Sequence, residues 1–164
     1  MVKIQQIKLE DAARTLGAIN RPLPQLSLSG KAAPLTIEEL KGCLDNKNFY
    51  LFAAEDTSGN SAQSILGMGS IFFQKNLGRW IAEIHDIIVD KSQRGQGLGE
   101  KIVRRLIEEA KKFASSKGKH IKLYLTSRPS RAAANQLYLK LGFRVVAKAT
   151  GEWGTNLYKM VITP

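Results

Sequence analysis

Apolar and polar residues alternate over residues 2–8 with the two-residue period of a half-buried strand, and residues 10–20 then take up a helical spacing. Residues 21–35 hold three prolines and a glycine in a polar and apolar mixture, which reads as an irregular loop. Thr36-Ile37-Glu38-Glu39 is a capping box, so a second helix starts there and runs to about Asn46. Three runs rich in apolar and aromatic residues follow at 48–55, 65–74 and 80–90, separated by Thr57-Ser58-Gly59-Asn60 and Asn76-Leu77-Gly78. Connections this short predict antiparallel strands.

After a glycine-rich turn, Leu98, Ile102, Leu106, Ala110 and Phe113 form the buried stripe of a long helix that ends at Lys117 before Gly118. Residues 120–126 read as a strand, which must run parallel to 80–90 if that helix is a right-handed crossover. Ser130 is placed to cap a fourth helix over 131–141, closed by Gly142, and strands at 144–148 and 156–163 complete the chain. The order β-α-α-β-β-β-α-β-α-β-β predicts an α/β (α+β) fold. It has one mixed sheet of about seven strands flanked by four helices, and the length suits a single domain over 1–164.

Twenty-five Lys and Arg against fourteen Asp and Glu give a formal net charge of +11, with many of the cations between Lys101 and Lys148. Such a balance steers any polyanion, including a multiply phosphorylated small molecule. Sequence-specific nucleic-acid binding would call for aromatics interleaved on one sheet face, which the pattern lacks, so nucleic acid is not an expected partner. Cys43 stands alone and reads as a half-buried helix residue, and two separated histidines give a metal no ligand set. No apolar run is long enough to span a bilayer and the first residues are too polar for a signal peptide, so the expected compartment is the cytoplasm, without membrane association.

The chemistry concentrates where Ile84-His85-Asp86-Ile87-Ile88-Val89-Asp90 leads into Arg94-Gly95-Gln96-Gly97-Leu98-Gly99 and Glu100 opens the helix. A glycine turn at a helix start offers unpaired N–H groups and the positive end of the helix dipole, which together form a phosphate cradle. Glu100 and Lys101 after the last glycine exclude a P-loop, and the alternating glycines past mid-chain do not fit a dinucleotide fingerprint.

The form Arg94-x-x-Gly97-x-Gly99 after a strand ending Ile-Val-Asp resembles the acetyl-CoA pyrophosphate loop of the GNAT N-acetyltransferase superfamily. Residues 131–143, with Asn135 and Tyr138 before Leu141-Gly142-Phe143, resemble the second signature of that family, and the element order matches it over the whole chain. The resemblance implies a GNAT fold whose sheet splays between the strands at 84–89 and 120–126 to admit the pantetheine arm. It also implies acetyl-CoA as co-substrate, with no metal. Ile87, Ile88 and Val89 would then offer backbone to the arm and the oxyanion, and Arg94, Gly95, Gln96, Gly97, Leu98, Gly99 and Glu100 would surround the pyrophosphate. Asn135 would contact the pantetheine or pyrophosphate, and Tyr138 would be the acid facing the departing thiolate.

On helical geometry Arg131, Asn135 and Tyr138 share one face, free to look at a ligand, while Leu137 and Leu141 occupy another that packs on the sheet. The attacking amine must be neutral. Glu83 is the first candidate base, and His85, whose ring titrates near neutrality when unperturbed, is the second. Glu83 lies in a segment resembling the base-bearing strand of histone-type members. His85-Asp86-Ile87-Ile88-Val89 resembles the Glu-Asp-φ-Val-Val segment of glucosamine-6-phosphate N-acetyltransferases, with His85 replacing the Glu. The expected partner is a small-molecule or peptide amine acceptor, with a homodimer left open. The loop at 21–35, the first two helices and the segment holding Glu152 and Trp153 are the expected acceptor-binding parts. Competing readings are a catalytically silent acyl-CoA-binding module, which needs the glycine turn but neither Tyr138 nor Glu83, and a basic nucleic-acid-associated protein.

Overall fold

The computed structural model describes residues 1–27, 29–57, 64–151 and 154–164. The elements are β1 (Val2–Ile7), α1 (Ala12–Asn20), α2 (Ile37–Asp45), β2 (Phe49–Asp56), β3 (Ser64–Asn76), β4 (Arg79–Val89), α3 (Leu98–Lys117), β5 (Ile121–Ser127), α4 (Ala132–Lys140), β6 (Arg144–Ala147) and β7 (Asn156–Ile162). Seven strands hydrogen-bond in the order β1-β2-β3-β4-β5-β7-β6, which with four helices is the architecture expected from the pattern. Beyond Thr57, the anticipated turn at 57–60 lies outside the described residues. No helix among the described residues is long and apolar enough to cross a membrane. The chain divides into two compact units, Met1–Ser70 with Asp86–Arg105, and Ile71–His85 with Leu106–Pro164.

In the first unit β1 and β2 pair antiparallel, with Ile7 opposite Leu51 and Gln5 opposite Ala53. Ile7, Ile19, Leu40, Leu51, Ile65, Met68 and Ile88 close one core. The Thr36 capping box forms as expected: the Thr36 hydroxyl accepts the Glu39 N–H at 3.2 Å and the Glu39 carboxylate accepts the Thr36 N–H at 2.7 Å. The Asn20 side chain closes the irregular 21–35 stretch by donating to the Leu35 carbonyl at 2.9 Å and accepting its N–H at 2.8 Å. Gly67 lies against Ile88 and Val89 while Ser70 reaches Asp86, an ordering that antiparallel β3 and β4 produce.

In the second unit β4 and β5 run parallel, from Trp80 opposite Ile121 to Ile84 opposite Leu125, as the crossover helix requires. β7 lies antiparallel between β5 and β6, with Tyr158 opposite Leu125. Leu106, Ala110 and Ala114 of α3 are buried. Phe113, expected within that stripe, is instead half-buried and stacks on Phe73 with ring centroids 3.9 Å apart. The bulky ring covers the stripe's edge, and the small Ala114 takes the tighter position.

Three further sequence readings need correction. Arg131, not Ser130, precedes α4, and no side chain caps its start. The Asn135 amide, one turn inside, instead donates to the Arg128 and Pro129 carbonyls at 2.9 and 3.3 Å and fixes the entry from within. Cys43 is exposed rather than half-buried, because the inward face of α2 is taken by Leu40. The face of α4 that packs on the sheet is the one carrying Asn135 and Tyr138, whereas Leu137 and Leu141 are only half-buried.

A Cβ added at Gly67 would stand 2.8 Å from the Ile88 carbonyl oxygen and 3.0 Å from Ile102 Cδ1. Backbone cannot swing aside as a side chain does. Gly67→Ala is therefore expected to destabilise the protein by about 1–3 kcal/mol in urea unfolding, and a change under about 0.5 kcal/mol would show that β4 yields instead.

Candidate active site

At the end of β4 the Arg94 side chain folds back, its Nε donating to the Val89 carbonyl at 3.1 Å and Nη2 to Gln25 Oε1 at 3.0 Å. The Asp90 carboxylate accepts the Ser92 N–H at 3.0 Å and hydroxyl at 2.8 Å, and these bonds hold its carboxyl below the usual range. Gly95 and Gly97 then adopt φ of +79° and +75°, where a side chain is strained, and an added Cβ at either would meet only open space. The helix ladder begins with the Lys101 N–H donating to the Gly97 carbonyl at 3.1 Å, so the Leu98 and Gly99 amides precede the first helical bond. Buried Leu98 anchors the turn, and Glu100 turns to Arg104 at 2.7 Å. Bare backbone, open space and a helix N-terminus suit a pyrophosphate.

Inside β4, Asp86 has φ of +54°, the one non-glycine positive φ among the described residues. Such a conformation costs on the order of 1 kcal/mol or more, and here the Ser70 hydroxyl supports it by donating to Asp86 Oδ2 at 2.9 Å. The kink falls just before Ile87, Ile88 and Val89. It resets the side-chain alternation along the strand.

In the second unit the sheet register assigns each candidate to a face. Ile84, Leu125 and Tyr158 lie side by side on one face, and the Tyr138 ring meets Tyr158 edge to face at 5.5 Å. Glu83 and His85 point to the other face. There His85 Nε2 lies 3.1 Å from Glu83 Oε2, with both side chains about half exposed. The acid candidate and the base candidates are thus on opposite faces, and β4 pairs with β5 only as far as Ile84 and Leu125.

Tyr138 is 5% exposed, and burial pushes its phenol up to about 12; Arg131 opposes this and Tyr158 adds to it. Asn135 Oδ1 accepts the Tyr158 hydroxyl at 3.0 Å while its amide holds the Arg128 and Pro129 carbonyls. The chain itself therefore engages both ends of that side chain.

A groove of about 440 Å³ opens on the Glu83 face, lined by Arg79, Glu83, His85, Lys122, Tyr124 and Thr126 among others. Arg79 and Lys122 form no ion pair among the described residues. Glu152 and Trp153, expected to meet the acceptor, lie outside the described residues, and His120 is exposed. Among the described residues no His, Cys, Asp and Glu cluster could hold a metal ion.

The acetyltransferase (GNAT) family pattern matches residues 10–143. The chain belongs to the GNAT family. A glucosamine 6-phosphate N-acetyltransferase 1 from Oryza sativa subsp. japonica is 33% identical over 110 residues, 66% of this chain and 66% of that protein, so the match spans about two thirds of the relative. The fold is shared with a Streptococcus pneumoniae GNAT acetyltransferase, at a TM-score of 0.78 and 23% identity over 99% of both chains. It is shared also with Arabidopsis thaliana NAA60, crystallised in complex with acetyl-CoA, at a TM-score of 0.70 and 16% identity over 99% of both chains. For a GNAT protein acetyl-CoA is the co-substrate and acyl transfer to an amine the reaction.

Several features of this GNAT site escape a sequence reading. Lys122, Tyr124 and Thr126 join Glu83 only through the β4–β5 register, which the sequence does not state. The positive φ of Asp86 carries no residue signal, because the expected marker of such a position is glycine.

The raised Tyr138 phenol has a stability consequence. The folded chain keeps that proton up to about pH 12, whereas an unfolded tyrosine near 10 has released it, so this contribution is complete below pH 10 and is lost as pH rises from 10 through about 12. The alkaline decline in stability should accordingly be shallower for Tyr138→Phe, by roughly 2–3 kcal/mol across that window. Parallel declines in denaturant unfolding would show that the phenol ionises freely in the folded protein.

Proposed function

We propose that this GNAT enzyme acetylates the primary amine of a phosphorylated aminosugar of the glucosamine 6-phosphate type. The observation that carries this reading is the groove in which the Glu83–His85 pair lies on one face with Lys122 and Arg79. Lys122 stands opposite Ile81, two residues and so about 7 Å along the strand from Glu83. A substrate with its amine at the carboxylate and its phosphate at the cations fits that spacing, and the name of the rice relative supports the same class. His85 in place of a family Glu gives the pair a neutral or cationic partner for Glu83 instead of a second carboxylate.

In the proposed reaction the main-chain amides of the glycine turn hold the pyrophosphate of acetyl-CoA, with Arg94 bracing the turn. Glu83, with His85 beside it, takes a proton from the ammonium directly or through water. The free amine attacks the acetyl carbonyl, the new N–C bond forms, and the oxyanion is met by a backbone N–H at Ile87 or Ile88. The C–S bond then breaks. A phenol near 12 holds its proton more firmly than a thiol of ordinary pKa near 8.5 does. Tyr138 therefore stabilises the departing thiolate by donating a hydrogen bond, and the proton lost by the amine, passed through solvent, completes the thiol.

The assay is acetyl-CoA turnover across glucosamine 6-phosphate, glucosamine, a free peptide α-amine and a polyamine, read by product mass. Glucosamine 6-phosphate should exceed glucosamine by about a hundredfold in kcat/KM, and Lys122→Ala should erase most of that preference. Equal use of the unphosphorylated amines overturns the acceptor. With the best acceptor, Tyr138→Phe should lower kcat about ten- to a thousandfold while CoA affinity holds, and unchanged turnover would return Tyr138 to packing.

For the base, Glu83→Gln should remove the acidic limb of the kcat/KM profile and cut the neutral rate by about two orders of magnitude, with His85→Gln milder. A reversed ranking makes His85 the base. Unaltered profiles in both variants mean that the amine arrives deprotonated from solvent.

A further inference from the structure

The second unit is strongly basic: it holds thirteen Lys and Arg against four Glu, and no acidic residue stands between Glu109 and Glu152. At one end of this unit the chain turns from β3 into β4 through Leu77 and Gly78, the glycine at φ +73°. Leu77 is fully exposed at that tip. Lys75, also exposed, shares by strand alternation the face of Phe73, whose ring stacks on Phe113 of α3. Just past the turn, half-buried Trp80 meets Phe113 edge to face at 5.0 Å. Lys117 Nζ stands over both rings, 5.4 Å from the centre of Trp80 and 5.0 Å from that of Phe113. Exposed Lys119 lies two residues before Ile121, the β5 partner of Trp80. Lys75, Lys117 and Lys119 form no ion pair among the described residues.

We propose that this end of the second unit docks on an anionic membrane surface, with Leu77 entering the boundary between headgroups and acyl chains. Trp80 and the Lys117 over it lie at headgroup level, and Lys75 and Lys119 meet the lipid anions. Peripheral docking of this kind needs no helix long enough to cross the bilayer. Charge and shape together select the occupant. An anionic leaflet strengthens binding about fivefold for each lysine near its surface and also receives a single protruding apolar side chain. A phosphate backbone of a nucleic acid would meet the lysines equally well but offers Leu77 nothing apolar to enter. A stable protein partner would need roughly 800 Å² from this side, whereas the apolar part of this end is one projecting leucine and a half-covered tryptophan. None of these five residues lines the groove on the Glu83 face, so the inference stands apart from the acceptor reading.

Sedimentation with large unilamellar vesicles tests this. The parent should partition onto vesicles of mixed phosphatidylserine and phosphatidylcholine but not onto pure phosphatidylcholine, and the binding should weaken as salt rises. Leu77→Ser should lower the partition coefficient about tenfold, and Lys75→Gln combined with Lys119→Gln about twentyfold, with each variant melting at the parent's temperature. Leu77→Trp should strengthen binding, since a tryptophan suits the interface. A parent that stays in solution with the anionic vesicles overturns the proposal. Equal partitioning of parent and Leu77→Ser also overturns it, because the surface is then a plain polycation, and unchanged partitioning of the lysine pair removes its electrostatic half and overturns it as well. Binding to duplex DNA that is tighter than to the anionic vesicles at the same salt, and indifferent to Leu77→Ser, reassigns this end to nucleic acid.

Discussion

The point at which the β4–β5 ladder stops is the constraint on which the candidate site is built. Two parallel strands joined by a crossover helix would ordinarily stay paired along their length, since each unpaired peptide group gives up a hydrogen bond. Here the ladder runs for five residue pairs and stops at Ile84 opposite Leu125. Two residues on, Asp86 takes a left-handed conformation that β strands avoid. The Ser70 hydroxyl bonds the Asp86 carboxylate, and the side chain of Ile88 lies in the apolar core, so the kink is held at the kinked residue and just beyond it. A strained backbone held in this way is a feature of binding sites.

The sheet also separates the candidate groups. The sheet is one peptide layer thick, and it keeps the phenol of Tyr138 on one face and the Glu83–His85 pair on the other. Each environment suits its group. Tyr138 is dry, which keeps it protonated and makes it a persistent donor, while Glu83 and His85 stand half exposed, where a proton can pass to solvent. On the proposed reading, an acid and a base placed this way do not neutralise one another.

How much of this was legible in the sequence varies with the kind of signal. The glycine turn and the capping box are local: their residues act within a few positions of one another, so Gly95, Gly97 and Thr36 could be read directly. Element order was legible for the same reason, through periodicity. The groove on the Glu83 face was not, because Lys122 and Glu83 are distant in sequence and meet only through strand register. The inward face of α4 was misjudged because apolarity favoured Leu137 and Leu141, whereas the structure buries a tyrosine and satisfies a neighbouring asparagine. Helical geometry put Asn135 and Tyr138 together correctly. It could not say which way that face would turn.

Asn135 illustrates how a signature residue can hold together the corner on which it sits. Its amide donates to the two carbonyls that end β5's exit, and its oxygen accepts from the Tyr158 hydroxyl, the ring against which Tyr138 packs. One side chain therefore ties the β5–α4 connection to the tyrosine pair, and no cap at residue 130 is needed. A charged residue could not make this set of bonds, since it needs a donor and an acceptor on one planar group. On the proposed reading the placement of the phenol is set by an amide one turn away on its own helix, so precision at the reacting sulfur is a property of the β5–α4 corner as much as of Tyr138 itself.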